Sequence, residues 1–143
     1  MVDVADKTDT LREAIAEAVV ALPPQVLASL EQGGTRKGDP IAVAELAGIM
    51  AAKRTDELIP LCHPLPLESV EVRGKLDPEG ACVTFTGTCR TTGKTGVEME
   101  ALTAVSIAAL TLYDMLKSAG REMSIEKVQL LAKSGGKSGN WRR

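Results

Sequence analysis

The chain has 143 residues, enough for one domain with a sizeable core and short for two. Its formal net charge of -2 and its single Phe, Tyr and Trp argue against a general nucleic-acid binder, which needs basic surface for phosphate and rings for bases. Cys62, Cys82 and Cys89 contain no CxxC and the chain has one histidine, so reduced thiols are expected rather than a disulfide framework or a Cys/His metal centre.

In chain order, Met1 to Lys7 shows no periodic pattern and is expected to cross a surface. Its acids, with Asp9 beyond, break any apolar leader, so a cytoplasmic location is expected. Thr10 with Glu13 matches a capping box, and Leu11, Ile15, Ala18, Val19 and Leu22 form a 3.6-residue stripe ending at Pro23-Pro24, which predicts a first helix. A short helix over Gln25 to Glu31 ends at Gly33-Gly34, followed by the polar loop Thr35-Arg36-Lys37-Gly38. Asp39-Pro40 is an N-cap and N1 pair for a helix from Ile41 to about Arg54, with Gly48 as a close-packing point.

Prolines at 60, 64 and 66 exclude a regular helix or central strand over Leu58 to Leu67, which should be stiff, extended and largely buried. Alternation over Val70, Val72 and Leu76, the turn Asp77-Pro-Glu-Gly80, and alternation over Val83, Phe85 and Cys89 predict an antiparallel hairpin with one wet face.

Gly93 to Lys117 reads as one long helix capped by Thr95 and Glu98. Its Ala101 to Leu112 core is apolar nearly all round, as in a buried helix, and below the ~20 residues that span a bilayer. Val97, Ala101, Ala104, Ala108, Thr111 and Met115 give a stripe of mostly small side chains that lets another backbone come close; Leu102, Val105, Ala109, Leu112 and Leu116 face the larger core. A strand through Ile125, Val128 and Leu130 and a glycine-rich, basic tail complete the chain. These elements imply an α+β sandwich over residues 1–143, an antiparallel sheet with helices on one face. The polar outer sheet face and the small-residue stripe hint at self-association.

Glu98 and Glu100 fall in the first turn of the long helix, where acids suit the dipole. Asp114 lies near its other end, where an acid opposes the dipole, and Lys117 at i+3 can compensate as an ordinary ion pair. His63 can donate and accept near neutral pH, but a lone histidine is more often a bonded core residue. Adjacent residues of an extended segment face opposite ways, which counts against a Cys62/His63 dyad. Most loop cations read as solvated surface. Two clusters adjoin glycines, Arg36-Lys37-Gly38 and Lys133 to Gly139, where backbone N–H groups can join a cation in holding phosphate. Gly93-Lys94-Thr95 suggests a P-loop, but Gly87 lies one residue too early for that spacing, and Glu98 and Glu100 would oppose the phosphate.

Ala51-Ala-Lys-Arg-Thr55, Leu58-Ile-Pro-Leu-Cys-His-Pro-Leu65, Lys94-Thr-Gly-Val-Glu-Met-Glu-Ala-Leu-Thr103, Tyr113-Asp-Met115 with Lys117, and Leu131-Ala-Lys-Ser-Gly-Gly-Lys-Ser-Gly139 together resemble the MoaC family, cyclic pyranopterin monophosphate synthases of molybdenum cofactor biosynthesis. The resemblance begins at Met1-Val-Asp-Val4, where family members usually carry a further short segment; Leu116 stands where many have Cys.

The resemblance implies a ferredoxin-like α+β fold and a homohexamer, a trimer of dimers, with active sites at the dimer interface. The implied substrate is a cyclised dihydro-GTP from a radical S-adenosylmethionine enzyme, converted to the cyclic monophosphate and diphosphate. Asp114 and Lys117 match the catalytic pair; Leu61, Cys62, His63, Met99 and Glu100 match substrate-binding positions; Glu98 lies in the same motif; and Arg12, Lys37, Lys53 and Lys133 match basic positions around the triphosphate or base. No metal ligand set or cofactor is required by the sequence, though Mg2+ can accompany the triphosphate. A non-catalytic nucleotide-binding or assembly protein and a P-loop phosphotransferase are the competing readings.

Overall fold

The computed structural model describes residues 1–33 and 37–143. Gly34, Thr35 and Arg36, expected in a helix end and polar loop, lie outside the described residues. The chain runs β1 (Thr10–Ala21), α1 (Pro24–Glu31), α2 (Pro40–Ala52), α3 (Thr55–Leu58), β2 (Ser69–Asp77), β3 (Cys82–Gly93), α4 (Glu98–Leu116), β4 (Ser124–Ser134) and β5 (Trp141–Arg142). The strands form one antiparallel sheet in the order β2-β3-β1-β4-β5. Up to β4 this is the β-α-β-β-α-β succession of a ferredoxin-like fold, with β5 added at the edge.

The first element corrects the sequence reading: Thr10–Ala21 is the central strand, not a helix. Ala14, Ala16, Ala18 and Val20 are fully buried on one face, while Glu13, Ile15, Glu17 and Val19 turn to the other. The same stretch therefore satisfies periods of both 2 and 3.6. Alanine's helix preference is worth only tenths of a kcal/mol per residue, and pairing with a strand on each side outweighs it.

The helices meet the predictions more closely. Pro24–Glu31 and Pro40–Ala52 are helical, and the Asp39 side chain accepts from the Ile41 and Ala42 amides at the start of α2. Gly48 packs α2 against α4: a Cβ there would lie 2.7 Å from the Ala104 carbonyl oxygen and 3.3 Å from the Ala108 Cβ. Gly48→Ala should therefore destabilise the protein by about 1–3 kcal/mol in urea unfolding, reversing the usual helix gain from that exchange.

The hairpin β2/β3 forms as expected, its turn closed by the Gly80 amide donating to Asp77 Oδ1 at 3.1 Å. The proline segment is extended after a turn at Ile59–Cys62, but it is not buried: its residues are half-buried or exposed, and Leu61 is 71% exposed.

α4 starts at Glu98, later than expected, because Gly93 ends β3 and no side chain caps Val97. By length and composition alone α4 could cross a bilayer, but more than half of its most apolar window is buried in this fold. Its small stripe packs inside the chain: Ala101, Ala104 and Ala108 are fully buried against α2 and the sheet, so the stripe is not a surface for self-association. Leu112 and Leu116 fill the core beyond.

Candidate active site

Most of the predicted residues fall into two separate clusters, one at each end of α4. The first surrounds the N-terminal end of α4. Leu61, Cys62, His63, Glu98, Met99 and Glu100 line one cavity of ≈490 Å3, closed on its remaining sides by Val2, Val4, Lys7, Leu65, Thr95 and Gly96. The proline segment brings Leu61 to Leu65 across the helix end, and the buried Thr91 anchors that segment by donating to the Pro66 carbonyl at 2.6 Å.

Glu100 is 4% exposed, and burial pushes its carboxyl up to about 6, with the nearby charges of Glu98 and Asp56 adding to the rise and its own backbone hydrogen bond opposing it. It is therefore a carboxyl that can be emptied or filled near neutral pH. Burial, then Glu100 and Asp56, raises the Cys62 thiol, and burial followed by Glu100 pushes Cys89 up to about 12. Neither thiol is poised as a thiolate nucleophile.

His63 Nε2 lies 2.9 Å from the Val2 carbonyl oxygen. A carbonyl only accepts, so Nε2 carries a proton and, in the neutral ring, Nδ1 is the acceptor. Because Cys62 leaves a turn, with its amide donating to Ile59, both Cys62 and His63 line the cavity, unlike neighbours on an extended strand.

Glu98 turns towards Lys133 on β4, whose Nζ lies 3.5 Å from Oε1, rather than closing a capping box. Lys133 also donates to Ser138 in the glycine-rich loop. Arg12 donates to the carbonyls of Gly93 and Lys94 at 3.3 Å each, and lines a second cavity of ≈610 Å3 with residues of the amino-terminal segment and the glycine-rich loop. Lys7 borders both cavities. The Gly93-Lys94-Thr95 turn does not present its lysine as a P-loop would, since Lys94 Nζ donates to the Ala5 carbonyl at 2.8 Å.

The second cluster is at the opposite end of α4. Lys117 Nζ lies 2.7 Å from Asp114 Oδ1, and Lys37 Nζ lies 3.5 Å from Oδ2. Hydrogen bonding and charge from Lys117, then the charge of Lys37, hold the Asp114 carboxyl below its ordinary range. Asp114 and Lys117 are both more than half exposed, so the pair contributes little to stability. Glu100 and Asp114 are 14 residues apart on one helix, roughly 21 Å at 1.5 Å per residue. One chain thus does not bring its Asp114–Lys117 pair to its own carboxylate-lined cavity. Lys53, the C-cap of α2, is exposed and lines neither cavity.

Sequence reasoning missed Val2, Val4 and Lys7, whose segment lacks periodicity, and Asp56, which only the fold brings near Glu100. The Met1-Val-Asp-Val4 match was the available pointer to the first two. Among the described residues no three His, Cys, Asp or Glu side chains converge as a metal site.

The model of the MoaC family matches residues 1–136. The chain is 55% identical over 143 residues to a protein of Thermomicrobium roseum named cyclic pyranopterin monophosphate synthase, covering all of this chain and 86% of that relative. It is 52% identical over 143 residues to a protein of the same name from Brevibacillus brevis, covering all of this chain and 89% of that one.

Proposed function

The chain belongs to the MoaC family, and from that premise we propose that it is a cyclic pyranopterin monophosphate synthase whose active site is divided between two copies of the chain. The observation that carries the division is the placement of Glu100 and Asp114 towards opposite ends of one unbroken helix. A second copy that brings its Asp114–Lys117 end to the cavity lined by His63, Glu98 and Glu100 would assemble all of these groups around one substrate.

The substrate is the cyclised dihydro-GTP, (8S)-3',8-cyclo-7,8-dihydroguanosine 5'-triphosphate. Opening its purine-derived ring and rebuilding a pterin needs repeated proton transfer. Asp114 and Lys117 supply a carboxylate and an ammonium within hydrogen-bond distance of each other, an acid–base pair fixed by the helix. His63, its Nε2–H held by the Val2 carbonyl, presents the Nδ1 acceptor, and Glu100 is a carboxyl near its titration point, so both can orient and polarise the guanine-derived ring. Leu61, Cys62 and Met99 supply apolar wall. Ring closure of the phosphate joins a sugar hydroxyl oxygen to the α-phosphorus and breaks the α–β bridge; diphosphate leaves, and the hydroxyl proton passes to a base. Cations must stabilise the charge on the leaving group, a role for Arg12 and Lys133 here and for Lys37, carried beside Asp114, from the second copy. Lys53 is assigned to the same positive field, reaching the site across the assembly.

Exposed apolar surface supports association. Val43, Leu46, Met50, Leu58 and Leu110 remain exposed on the helical side, beside an apolar hollow of ≈380 Å3 walled by Ala47, Ala51 and Ile107. A homohexamer made as a trimer of dimers would cover this face and complete the sites. The enzyme would act in the cytoplasm, downstream of a radical S-adenosylmethionine GTP cyclase. Any Mg2+ would enter on the triphosphate, since the described side chains offer no three-ligand cluster.

The test is turnover. Purified protein given the cyclised dihydro-GTP should release diphosphate and form the pterin in equal amounts. Well-folded protein that binds the compound without converting it would instead establish the non-catalytic binding role.

A further inference from the structure

The segment that carries Leu61, Cys62 and His63 into the cavity has few means of holding its own position. Pro60, Pro64 and Pro66 lack an N–H, so it cannot ladder onto the sheet. Among the described residues its backbone–backbone bonds lie at its two ends, from the Cys62 amide to the Ile59 carbonyl and from the Glu68 amide to the Arg90 carbonyl, each at 3.0 Å. Leu65 and Leu67 press it against the core, but apolar contact is non-directional and does not fix how far the segment slides along the sheet.

The directional bond comes from Thr91. The inward row of β3 runs Val83, Phe85, Gly87, Cys89 and Thr91, and Thr91 supplies its one hydroxyl. That residue is fully buried, and its Oγ1 donates to the Pro66 carbonyl at 2.6 Å, just beyond the point where the β2/β3 ladder ends at Ser69 and Arg90. A side chain thus continues the ladder where proline interrupts it. The Thr91 Cγ2 lies 3.8 Å from where a Cβ on Gly93 would stand, and β-branching leaves the hydroxyl little freedom of direction.

His63 is three residues before Pro66, and the chain between them is stiff. Pro64 restricts His63, and Pro66 restricts Leu65, to extended backbone, so a shift at Pro66 is passed on to His63 rather than absorbed. The imidazole meets its own partner, the Val2 carbonyl at 2.9 Å from Nε2, only while that backbone keeps its register. Resting on the placement of His63 at the synthase site, we propose that Thr91 is a positioning residue, whose hydroxyl sets the register of the proline segment and through it the place and tautomer of His63. Thr91 lines neither the cavity around the start of α4 nor the one beside Arg12, so it acts through the segment alone.

The chain has a single histidine, so imidazole 15N NMR of the full-length protein reads His63 without overlap. Above its titration the parent should show one tautomer, protonated at Nε2. Thr91→Val, of nearly the same shape but without the donor, should show mixed tautomers and lower kcat for the cyclised dihydro-GTP by roughly 10–100-fold, the scale of a misplaced group, with a smaller change in KM. Thr91→Ser keeps the hydroxyl and should restore both. Gly48→Ala, which strains the packing of α2 on α4 away from the segment, should leave the His63 spectrum as in the parent, separating positioning from general loss of stability. Thr91→Ala, smaller and unable to clash, makes the same comparison if the valine protein does not fold. A parental His63 spectrum or a parental kcat in the folded variant would overturn the assignment. Mixed tautomers in Thr91→Val, beside a parent that turns nothing over, would uphold the control of His63 by Thr91 and sink the synthase reading instead.

Discussion

Exchanging Asp114 for Asn is expected to leave the protein folded and to lower pterin formation by about 10²–10⁴-fold, the range over which a positioned proton-transfer group acts. The fold should persist because the Asp114–Lys117 pair is more than half exposed and exposed pairs contribute little to stability. Lys117→Ala should behave alike, since it removes the ammonium proton donor of the pair and the hydrogen bond that holds Asp114 in place. The decisive version mixes defects. Asp114→Asn and His63→Ala proteins, each inactive alone, should regain activity when co-expressed if, as proposed, each site draws these residues from different copies. In a random dimeric mixture half the dimers are mixed and each keeps one intact site of two, so about a quarter of parental activity is expected. If activity stayed at the level of the separate variants while size-exclusion chromatography showed mixed assemblies, the divided site would be wrong, and His63 and Asp114 would have to meet within one copy.

Much of this arrangement can be read from the sequence, and the exceptions have physical causes. Helix α2 announces itself through Asp39-Pro40, a local signal that needs no tertiary help. The β2/β3 hairpin does so through strict alternation around a turn. Strand β1 does not, because Ala14, Ala16 and Ala18 are small for the sake of α4's own Ala101 and Ala104, and alanine says nothing about strand. The Thr95/Glu98 capping pattern misleads because Lys133, distant in sequence, takes Glu98 instead. For the site, six of the residues named from the sequence line one cavity around the helix start. The separation of Glu98 and Glu100 from Asp114 is legible too, since the sequence predicts one helix over Gly93 to Lys117; what spacing cannot give is that Val2, Val4 and Lys7 close the cavity at its start.

Glu100 carries the other large expectation, in which stability and activity move in opposite directions. Its carboxyl is raised from 4.5 to about 6 in the folded chain, chiefly by burial. Between those values the folded protein holds the proton more tightly than the unfolded chain does. Stability is therefore fully supported below pH 4.5 and falls as pH rises through 6, by about 2 kcal/mol in total for a shift of this size. Glu100→Gln keeps the shape and removes the buried charge. Urea unfolding should then show a variant about 2 kcal/mol more stable at pH 7.5 and indistinguishable from the parent near pH 4.5. Its turnover should fall by 10-fold or more, roughly the cost of losing a positioned acid–base group, and its pH–rate profile should lose the limb near 6. A variant less stable than the parent at pH 7.5 would mean that the carboxylate is satisfied within the folded chain. Glu100 would then be a structural anion rather than a group kept under strain for the substrate, since a buried charge without full compensation is retained against its cost to folding where binding or chemistry uses it.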